Sequence, residues 1–281
     1  MQYNEKEWID LAREEAKSRT LYEKINDLND DTFIWKKHAA YAFYTHFHAA
    51  VEICFMINGE RAVTIGEHSF VLKEGEACLI NPFEVHTYHH NPDASKQVAT
   101  IILSKNYLND FHQVYGDVVL PNYLTDVSFN KQLLALFDDV PPSLSSNQTL
   151  TPLTKKAYAN LLFDKIATRY SVQARDQQSD IATKIVLYIC NNYTQKISLD
   201  TLAKEFNYTK TSISRILSKY LHTDLRCFVN NWRAEQAEAM LNDQRYAQHS
   251  VTQIALLCGF DSTATFYRAY KRRYGRLPRE N

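Results

Sequence analysis

One short segment of the chain combines residue types that suit metal or ligand chemistry. His46, His48 and Glu52 lie in the run HFHAAVE and share even parity. If this run forms one strand, the three side chains leave it on the same face. The odd positions from 47 to 57 are wholly apolar, so that face is expected to pack on another layer. The even face is therefore predicted to line a pocket.

The spacing of this segment resembles the first of the two cupin motifs, whose three histidines and one glutamate bind a metal inside a β-barrel. Gly59 follows the glutamate by seven residues, and His86 continues the match in the second motif. That second motif departs from the usual pattern, because Pro82 is shifted by one position. The resemblance implies metal-ligand positions at His46, His48, Glu52 and His86.

Three imidazoles and a carboxylate could hold Zn, Mn, Fe or Ni. The alternative is that the same side chains hydrogen-bond one another, a water or a small effector. An effector pocket predicts a wider set of contacts. The candidates are Tyr44, His46, His48, Glu52, Arg61, His86 and Tyr88. The 18 tyrosines are suggestive of carbohydrate stacking.

The region around this segment has the pattern of an antiparallel sheet protein. Residues 41–103 form short runs rich in β-branched and aromatic residues with no helix between them, which predicts a sandwich or barrel. Helical spacing predicts helices over 5–28, 126–139 and 153–170. The stripe of Leu162, Ile166 and Tyr170 could form a dimer surface or pack on the barrel.

Charge and proline usage separate the C-terminal third from the rest. Residues 1–177 carry 17 Lys+Arg and 23 Asp+Glu, whereas residues 178–281 carry 15 and 9. Residues 153–277 contain no proline and only two glycines, so the stretch can be almost wholly helical. A basic helical region suits a polyanionic partner.

A sequence pattern of two short helices, each with an apolar stripe, occurs twice in this basic region. Ser198 is a natural N-cap before an apolar stripe at i, i+3, i+4 and i+7, then a turn and a second stripe follow. About 52 residues later Ser250 and Gln253 form a capping-box pattern before the same arrangement. Two helices joined by a tight turn form a helix-turn-helix. The segment 224–242 between the copies is predicted to be a rigid helix of ~28 Å, which could hold the two copies close to the ~34 Å repeat of DNA.

These strings resemble the paired helix-turn-helix domain of the AraC/XylS family of bacterial transcription regulators. The matching runs are ISLDTLAKEFNYTKTSISRIL, NWRAEQAEAML and VTQIALLCGFDSTATFYRAYKRRYGRLP. His222 replaces a family glycine, and Asn207 stands where glycine is frequent, which is tolerable because Asn accepts left-handed geometry. The resemblance implies a homodimer, a small-molecule effector and no required cofactor, with RNA polymerase as a further partner.

In that family the base-reading side chains lie in the exposed first turns of the second helix of each unit. The positions that match are Thr211, Ser214, Arg215, Thr263, Ala264, Tyr267 and Arg268. Neighbouring basic residues are expected at phosphates or on a solvated face, namely Lys210, Lys219, Lys271, Arg272 and Arg273. Arg233 falls within an apolar stripe, so it is expected to be buried with an acidic or carbonyl partner.

Several classes are not expected for this chain of 281 residues. It has no phosphate-binding glycine loop and no run of about 18 apolar residues. Its acidic N-terminus does not resemble a signal peptide, and five scattered cysteines predict free thiols in a cytoplasmic protein.

The predicted fold is α+β, a cupin-like antiparallel β-barrel followed by an all-α domain. The predicted domains are a barrel with an N-terminal helix over 1–145, a linker and packing or dimerisation helix over 146–177, and a double helix-turn-helix over 178–281. The leading hypothesis is a sequence-specific transcription regulator rather than an enzyme, and it responds to a small molecule such as a sugar. The sequence leaves open whether it is an activator or a repressor. The alternatives are a metal-dependent cupin enzyme with a helical appendage and a protein-interaction module.

Overall fold

A computed structural model describes residues 21–22, 31–40, 43–89, 96–140, 150–175, 177–221 and 223–278. The chain divides into two compact units, with a boundary between residues 176 and 177. In the part of the chain that the structure describes, no helix combines the length and apolar character needed to span a membrane.

The first unit is built on the antiparallel barrel that the sequence predicts. Its strands are β1 (Leu21–Tyr22), β2 (Phe33–Ala39), β3 (Phe43–Phe47), β4 (Val51–Asn58), β5 (Glu60–Ile65), β6 (His68–Lys73), β7 (Ala77–Ile80), β8 (His86–Tyr88), β9 (Gln97–Leu103), β10 (Val118–Val119), β11 (Tyr123–Leu124) and β12 (Gln173–Ala174). One sheet has the order β1–β3–β8–β5–β6, and the other has the order β11–β7–β4–β9–β2. β10 and β12 form a separate antiparallel pair.

Strand β4 has two differently packed faces because successive side chains point to opposite sides of a sheet. Val51, Ile53 and Phe55 belong to a large apolar core that includes helical residues. Cys54 and Met56 belong to a second core, which also contains residues of β5 and β8 from the opposite sheet. The first face therefore packs on helices, and the second face points into the barrel.

Three α-helices of the first unit are α1 (Leu108–Tyr115), α2 (Val127–Ala135) and α3 (Pro152–Arg169). α3 begins at a Thr151 cap, with proline at the first helical position. Leu162 and Ile166 are fully buried in the core that contains the outer face of β4, and Tyr170 is packed against it. The apolar stripe of α3 thus packs on the barrel, which is one of the two arrangements that the sequence left open.

The second unit is helical. Its helices are α4 (Gln177–Asn192), α5 (Leu199–Phe206), α6 (Lys210–Leu221), α7 (Leu225–Leu241), α8 (Val251–Leu257) and α9 (Thr263–Tyr274). The predicted caps are present: Ser198 accepts from Thr201 N, and Ser250 and Gln253 form a complete capping box. Asn207 has the predicted left-handed backbone, with φ of 57°. We call α5–α6 the first head, α8–α9 the second head and α7 the connecting helix.

One local prediction is wrong, and a second is contradicted at two positions. The run 46–52 is not one strand, because β3 ends at Phe47 and β4 starts at Val51 in the other sheet. The helix over 5–28 lies outside the described residues except at Leu21–Tyr22, which form β1. At those two positions, pairing with β3 overrides the helical spacing. The linker at 141–149 and His222 also lie outside the described residues.

Candidate functional site

The bend between β3 and β4 creates the cluster that the sequence analysis predicts, although by a different route. His46 lies in β3 and His48 lies in the bend, whereas Glu52 follows in β4. His86 begins β8 and is the direct cross-strand partner of His46. The corner therefore carries one chain segment from one sheet to the other, and the four side chains converge between the sheets.

The four residues form a compact buried set, here called the barrel cluster. One ligand atom from each of His46, His48, Glu52 and His86 lies within 4.8 Å of every other. His48 Nε2 is 3.1 Å from Glu52 Oε2, and His86 Nε2 is 3.9 Å from the same oxygen. All four residues are 6% exposed or less, so few waters can compete for these groups.

Backbone carbonyls fix the orientation of two of the imidazoles. His48 donates from Nδ1 to Ala50 O at 3.0 Å, and His86 donates from Nδ1 to Glu84 O at 2.9 Å. His86 Nε2 then faces the cluster with a lone pair, which is the orientation of a metal-bound histidine, whereas His48 Nε2 points at Glu52 Oε2. His86 Nε2 is buried without a hydrogen-bond partner among the described residues. These residues therefore fit a divalent metal.

The charges in the cluster favour an ionised carboxylate. Burial alone raises the pKa of Glu52, but the hydrogen bond from His48 and the positive charge of the three imidazoles together lower it well below its usual range. Burial lowers the pKa of His86, and the charges of His46 and His48 lower it further. A carboxylate beside a neutral imidazole is the protonation state that binds a metal cation.

Two other predicted effector contacts adjoin the barrel cluster. Tyr88 donates from its hydroxyl to Glu52 Oε1 at 2.8 Å, which engages the oxygen that His48 does not. The Arg61 guanidinium lies over the Tyr88 ring at 4.3 Å and is only 3% exposed. The Tyr44 side chain lies outside the described part of the chain. The structure thus brings six of the seven predicted contacts to one interior site.

In the first head the predicted reading residues lie on the surface. Thr211, Ser214 and Arg215 are exposed, whereas Ile213 and Ile216 are buried on the other side of α6. Thr209 caps the helix by accepting from Ser212 N at 3.1 Å. An exposed polar first turn is the part of a recognition helix that reaches base edges.

Two predicted phosphate contacts of the first head already have neighbours. Lys210 is ion-paired with Asp200 at 2.5 Å, although both side chains are more than half exposed. Lys219 lies over the Tyr220 ring at 4.8 Å. An exposed pair of this kind is worth about 1 kcal/mol or less, so a phosphate can replace the carboxylate.

The second head repeats this arrangement. Ala264 and Arg268 are exposed and Tyr267 is 37% exposed, whereas Phe266 is fully buried. Thr263 is half-buried at the start of α9. The two heads therefore present matching first turns, as their repeated sequence pattern predicts.

The basic end of α9 divides between surface and internal roles. Lys271 and Arg272 are exposed, and Arg272 donates to Asn231 Oδ1 at 3.3 Å. Arg273 instead forms a 3.0 Å ion pair with Glu235, and both side chains are less than one fifth exposed. Arg273 thus ties the second head to the connecting helix.

The connecting helix is anchored to both halves of the second unit. Arg233 is 8% exposed and donates to Tyr193 O and Gln195 O, each at 2.7 Å. This confirms the predicted buried arginine with carbonyl partners. Gly259 has φ of 84°, and a Cβ there would lie 2.7 Å from Thr194 backbone atoms. The turn after α4 is therefore held by the connecting helix and by the second head.

A groove that the sequence analysis missed joins the two heads. It has a volume of about 480 Å³, and its lining includes Ser214 of the first head and Thr265 of the second. Arg226 and Asn230 of the connecting helix also line the groove, as does Lys196. Arg226 and Lys196 are exposed, and neither is ion-paired with any described residue. The only sequence signal for these cations was their place in the basic third of the chain.

A barrel with a buried polar cluster and two exposed helix-turn-helix heads define a DNA-binding regulator with a ligand-binding domain. Comparisons with known proteins agree with this class. A model of the AraC-like ligand binding domain matches residues 33–163, and a helix-turn-helix domain model matches residues 202–281. The chain belongs to the AraC family of transcription regulators.

Known relatives are distant in sequence. The HTH-type transcriptional activator RhaS of Escherichia fergusonii is 21% identical over 248 residues, covering 85% of this chain and 87% of RhaS. The XylDLEGF operon transcriptional activator 3 of Pseudomonas putida is 23% identical over 218 residues, covering 75% of this chain and 65% of that protein. The structure of ToxT from Vibrio cholerae aligns with a TM-score of 0.53 and 13% identity, covering 89% of this chain and 97% of ToxT. The last comparison shows a shared fold.

Proposed function

We propose that this protein is a sequence-specific transcription activator whose two heads enter successive major grooves on one face of a DNA duplex. One observation carries the proposal: both recognition helices keep polar side chains exposed at matching positions, and both line one groove with the connecting helix. The 17 residues of that helix span ~26 Å, so heads that reach outward from it match a DNA repeat of ~34 Å.

The proposed contacts divide by chemistry. Arg215 and Arg268 are placed at guanine edges, because a guanidinium can donate two parallel hydrogen bonds there. The remaining base contacts are Thr211, Ser214, Thr263, Ala264 and Tyr267. The phosphate contacts are Lys210, Lys219, Lys271 and Arg272. Arg226 and Lys196 add cations between the heads, where the DNA backbone crosses from one major groove to the next.

The effector is proposed to bind at the barrel cluster and to be a hydroxylated small molecule such as a sugar. The barrel interior carries polar groups beyond the four cluster residues, including the Tyr88 hydroxyl, which donates to Glu52 Oε1 at 2.8 Å, and the buried Arg61 guanidinium over the Tyr88 ring. Hydroxyl and imidazole groups can exchange such bonds for those of a sugar. A structural relative, ToxT, is described as bound to an unsaturated fatty acid; the polar cluster of this chain favours a more polar ligand.

The two faces of β4 offer a route for the effector signal. Glu52 belongs to the barrel cluster, whereas the adjacent Val51 and Ile53 pack in the core that contains α2 and α3. An effector that moves Glu52 would shift the same strand against these helices. The proposal is that this shift, in the segment 126–175, biases the DNA-binding arrangement of the chain.

The test is DNA binding by the full chain to duplexes from upstream of its own and adjacent genes, over a salt series and with candidate sugars. Binding is expected to weaken steeply with salt, with a slope of roughly −0.9 per phosphate contact. Arg226→Ala should reduce that slope by about 1 without changing the preferred sequence. If no duplex shows salt-sensitive binding, the proposal is wrong.

A divalent metal at His46, His48, Glu52 and His86 is a second proposal, supported by the unpartnered Nε2 of His86. When bound, the metal would supply an open coordination position for an effector oxygen. Metal analysis of purified chain should find about one ion per chain, lost in His48→Ala. Thr45→Ala, which alters a nearby hydroxyl outside the ligand set, is the matched control. Metal-free protein that binds no added Zn, Ni or Mn would contradict this proposal.

The proposed assembly is a cytoplasmic homodimer that contacts RNA polymerase at promoters. The buried stripe of α3 is not the dimer surface, since Leu162 and Ile166 lie in the core. Exposed apolar side chains remain on α3 at Leu153 and Leu161. Sedimentation of the chain and its Leu161→Lys variant tests this surface; unchanged dimerisation in the variant would exclude it.

A further inference from the structure

Two buried cysteines face each other across the sheet that carries Glu52. Cys54 of β4 is the direct antiparallel partner of Cys78 of β7. Directly opposed residues have Cα atoms about 4.5–5.5 Å apart, which lies within the range of roughly 4.4–6.8 Å that a disulfide bridges. Both belong to the core between the sheets, so both side chains point into the barrel.

The thiols of Cys54 and Cys78 are in hydrogen-bond contact, and both are reduced in this structure. They are 1% and 0% exposed, and neither forms a disulfide. Burial raises the pKa of the Cys78 thiol, and the neighbouring Cys54 raises it further. The other cysteines have different surroundings: Cys258 contacts the Met240 sulfur at 3.5 Å, and Cys227 contacts the Asn231 amide at 3.8 Å.

A short chain of contacts joins this pair to the barrel cluster. Cys78 Sγ is 3.8 Å from the Tyr88 hydroxyl, and that hydroxyl donates to Glu52 Oε1 at 2.8 Å. Glu52 Oε2 is in turn 3.1 Å from His48. A change at the sulfur atoms is therefore two contacts away from the carboxylate of the cluster.

We propose that Cys54 and Cys78 form a reversible thiol-oxidation site inside the barrel, whose oxidant is a peroxide or a low-molecular-weight disulfide. With hydrogen peroxide, one thiolate attacks a peroxide oxygen, the O–O bond breaks and hydroxide leaves, which gives a sulfenic acid. The second thiol displaces that oxygen as water, and the S–S bond forms. Two thiols are oxidised, one peroxide is reduced and two waters are produced. Two equivalents of a small thiol reverse the change.

Disulfide formation would lock β4 to β7 and convert the Cys78 thiol beside the Tyr88 hydroxyl into a disulfide sulfur. The Tyr88 hydroxyl would then contact a disulfide sulfur instead of a thiol, while it still donates to Glu52 Oε1. Oxidation is thus expected to alter the response of the barrel to its ligand. This consequence rests on the proposed function, whereas the oxidation itself does not.

The test uses the full chain, oxidised with a small excess of hydrogen peroxide or diamide and then denatured and alkylated. Two of the five thiols should be lost, and peptide mapping should recover one disulfide that joins Cys54 to Cys78. Cys54→Ala and Cys78→Ala should each abolish that disulfide. Cys227→Ser is the matched control and should still lose two thiols. Pairing of other cysteines, or full retention of both thiols, would overturn the proposal.

A second measurement keeps the chemistry and the regulation apart. DNA affinity with and without ligand is compared for reduced, oxidised and re-reduced chain, and for Cys78→Ala under the same treatment. A response that changes on oxidation, returns on reduction and is absent from the variant supports the regulatory consequence. If reduced chain binds no DNA, the proposed function fails while the thiol mapping still decides the oxidation site.

Discussion

The barrel cluster and the two recognition helices use polar residues in opposite ways. In the barrel, three histidines and a glutamate are nearly inaccessible and are oriented by carbonyls and by Tyr88. On α6 and α9, polar side chains such as Arg215 and Arg268 are exposed. The buried set is positioned by the protein before any ligand arrives. The exposed side chains are instead accessible to a separate molecule such as DNA.

Because of this difference, changes at buried polar residues should affect the free energy of unfolding, whereas changes at exposed residues should affect DNA affinity. Loss of a buried polar group leaves its partner unsatisfied, so it costs folding free energy. Loss of an exposed cation costs little folding free energy but removes a contact with a polyanion. Changes in the second unit that affect DNA affinity alone should therefore map to the exposed turns, whereas buried polar groups should affect unfolding.

The largest expected effect is on DNA affinity, in the double variant Arg215→Ala/Arg268→Ala. Each bidentate contact to guanine is worth about 1–3 kcal/mol, so affinity for the preferred duplex should fall about 10²–10⁴-fold. The free energy of unfolding should change by less than about 0.5 kcal/mol. Arg245→Ala is the control, since Arg245 is exposed and paired with Asp243 outside both heads. Normal DNA affinity in the double variant would show that the exposed arginines of α6 and α9 do not contact DNA.

The next largest effect is on the free energy of unfolding. It tests whether backbone packing at Gly259 holds the second head against the turn after α4. Gly259→Ala places a Cβ 2.7 Å from Thr194 in a left-handed backbone, and it should cost about 2–4 kcal/mol in urea unfolding. Gly275→Ala is the matched control: φ is 71°, but nothing lies within 4 Å of the added Cβ. It should cost only about 1–2 kcal/mol. Equal costs would mean that contact with the turn after α4 is unimportant.

A half-buried ion pair in the first unit tests the other side of the comparison. Lys155 is 1% exposed, and its Nζ is 2.7 Å from Asp31 Oδ2, whose side chain is 42% exposed. Because water screens the carboxylate, Asp31→Asn should cost about 1–2 kcal/mol of unfolding free energy, with DNA affinity unchanged. Lys155→Met, which removes the buried charge itself, should be close to neutral. If Asp31→Asn lost DNA binding without losing stability, the assignment of this ion pair to stability alone would be wrong.

The same pair gives a pH dependence with a defined sign. The hydrogen bond from Lys155, followed by that from Tyr107, lowers the pKa of Asp31 below its ordinary value of 3.8. The stabilisation is therefore present above pH 3.8 and is lost as the pH falls through the folded-state pKa. The stability difference between wild type and Asp31→Asn should shrink in that acidic window. A constant difference would show that ionisation of Asp31 is irrelevant.

The smallest effect concerns the start of the second head. Ser250→Ala removes the side-chain acceptor of the capping box and should cost about 1 kcal/mol. Ser250→Asp restores an acceptor and should recover most of the loss in thermal unfolding. If alanine and aspartate behave alike, the cap contributes nothing to the second head.

Much of the helical unit could be predicted from the sequence because its signals are local. Ser198, Ser250 and Asn207 specify helix ends within three residues of themselves, and helical spacing identifies which side of each helix is buried. Arg233 was predictable because a lone cation in an apolar stripe needs a partner. The carbonyls that it meets, at Tyr193 and Gln195, were not predictable because they lie about 40 residues away.

The barrel was harder to predict in detail because its contacts are non-local. Side-chain parity suggested a cluster at His46, His48 and Glu52, but the chain changes sheet between residues 47 and 51. A pattern of alternating residues cannot show such a corner. The groove at Arg226 was missed for a related reason, since its walls come from both heads and the connecting helix.

The sequence by itself determined the two helix-turn-helix units and the buried side of each of their helices, because those features follow from spacing along one segment. Shared parity suggested three residues of the barrel cluster, and the resemblance to the second cupin motif supplied the fourth, His86. The tertiary structure alone decided that His46 and Glu52 meet from different sheets, that the α3 stripe packs inward and that Cys54 faces Cys78. Each of these depends on which distant strands and helices pair. That choice is set by the burial of the whole core rather than by any local run of residues.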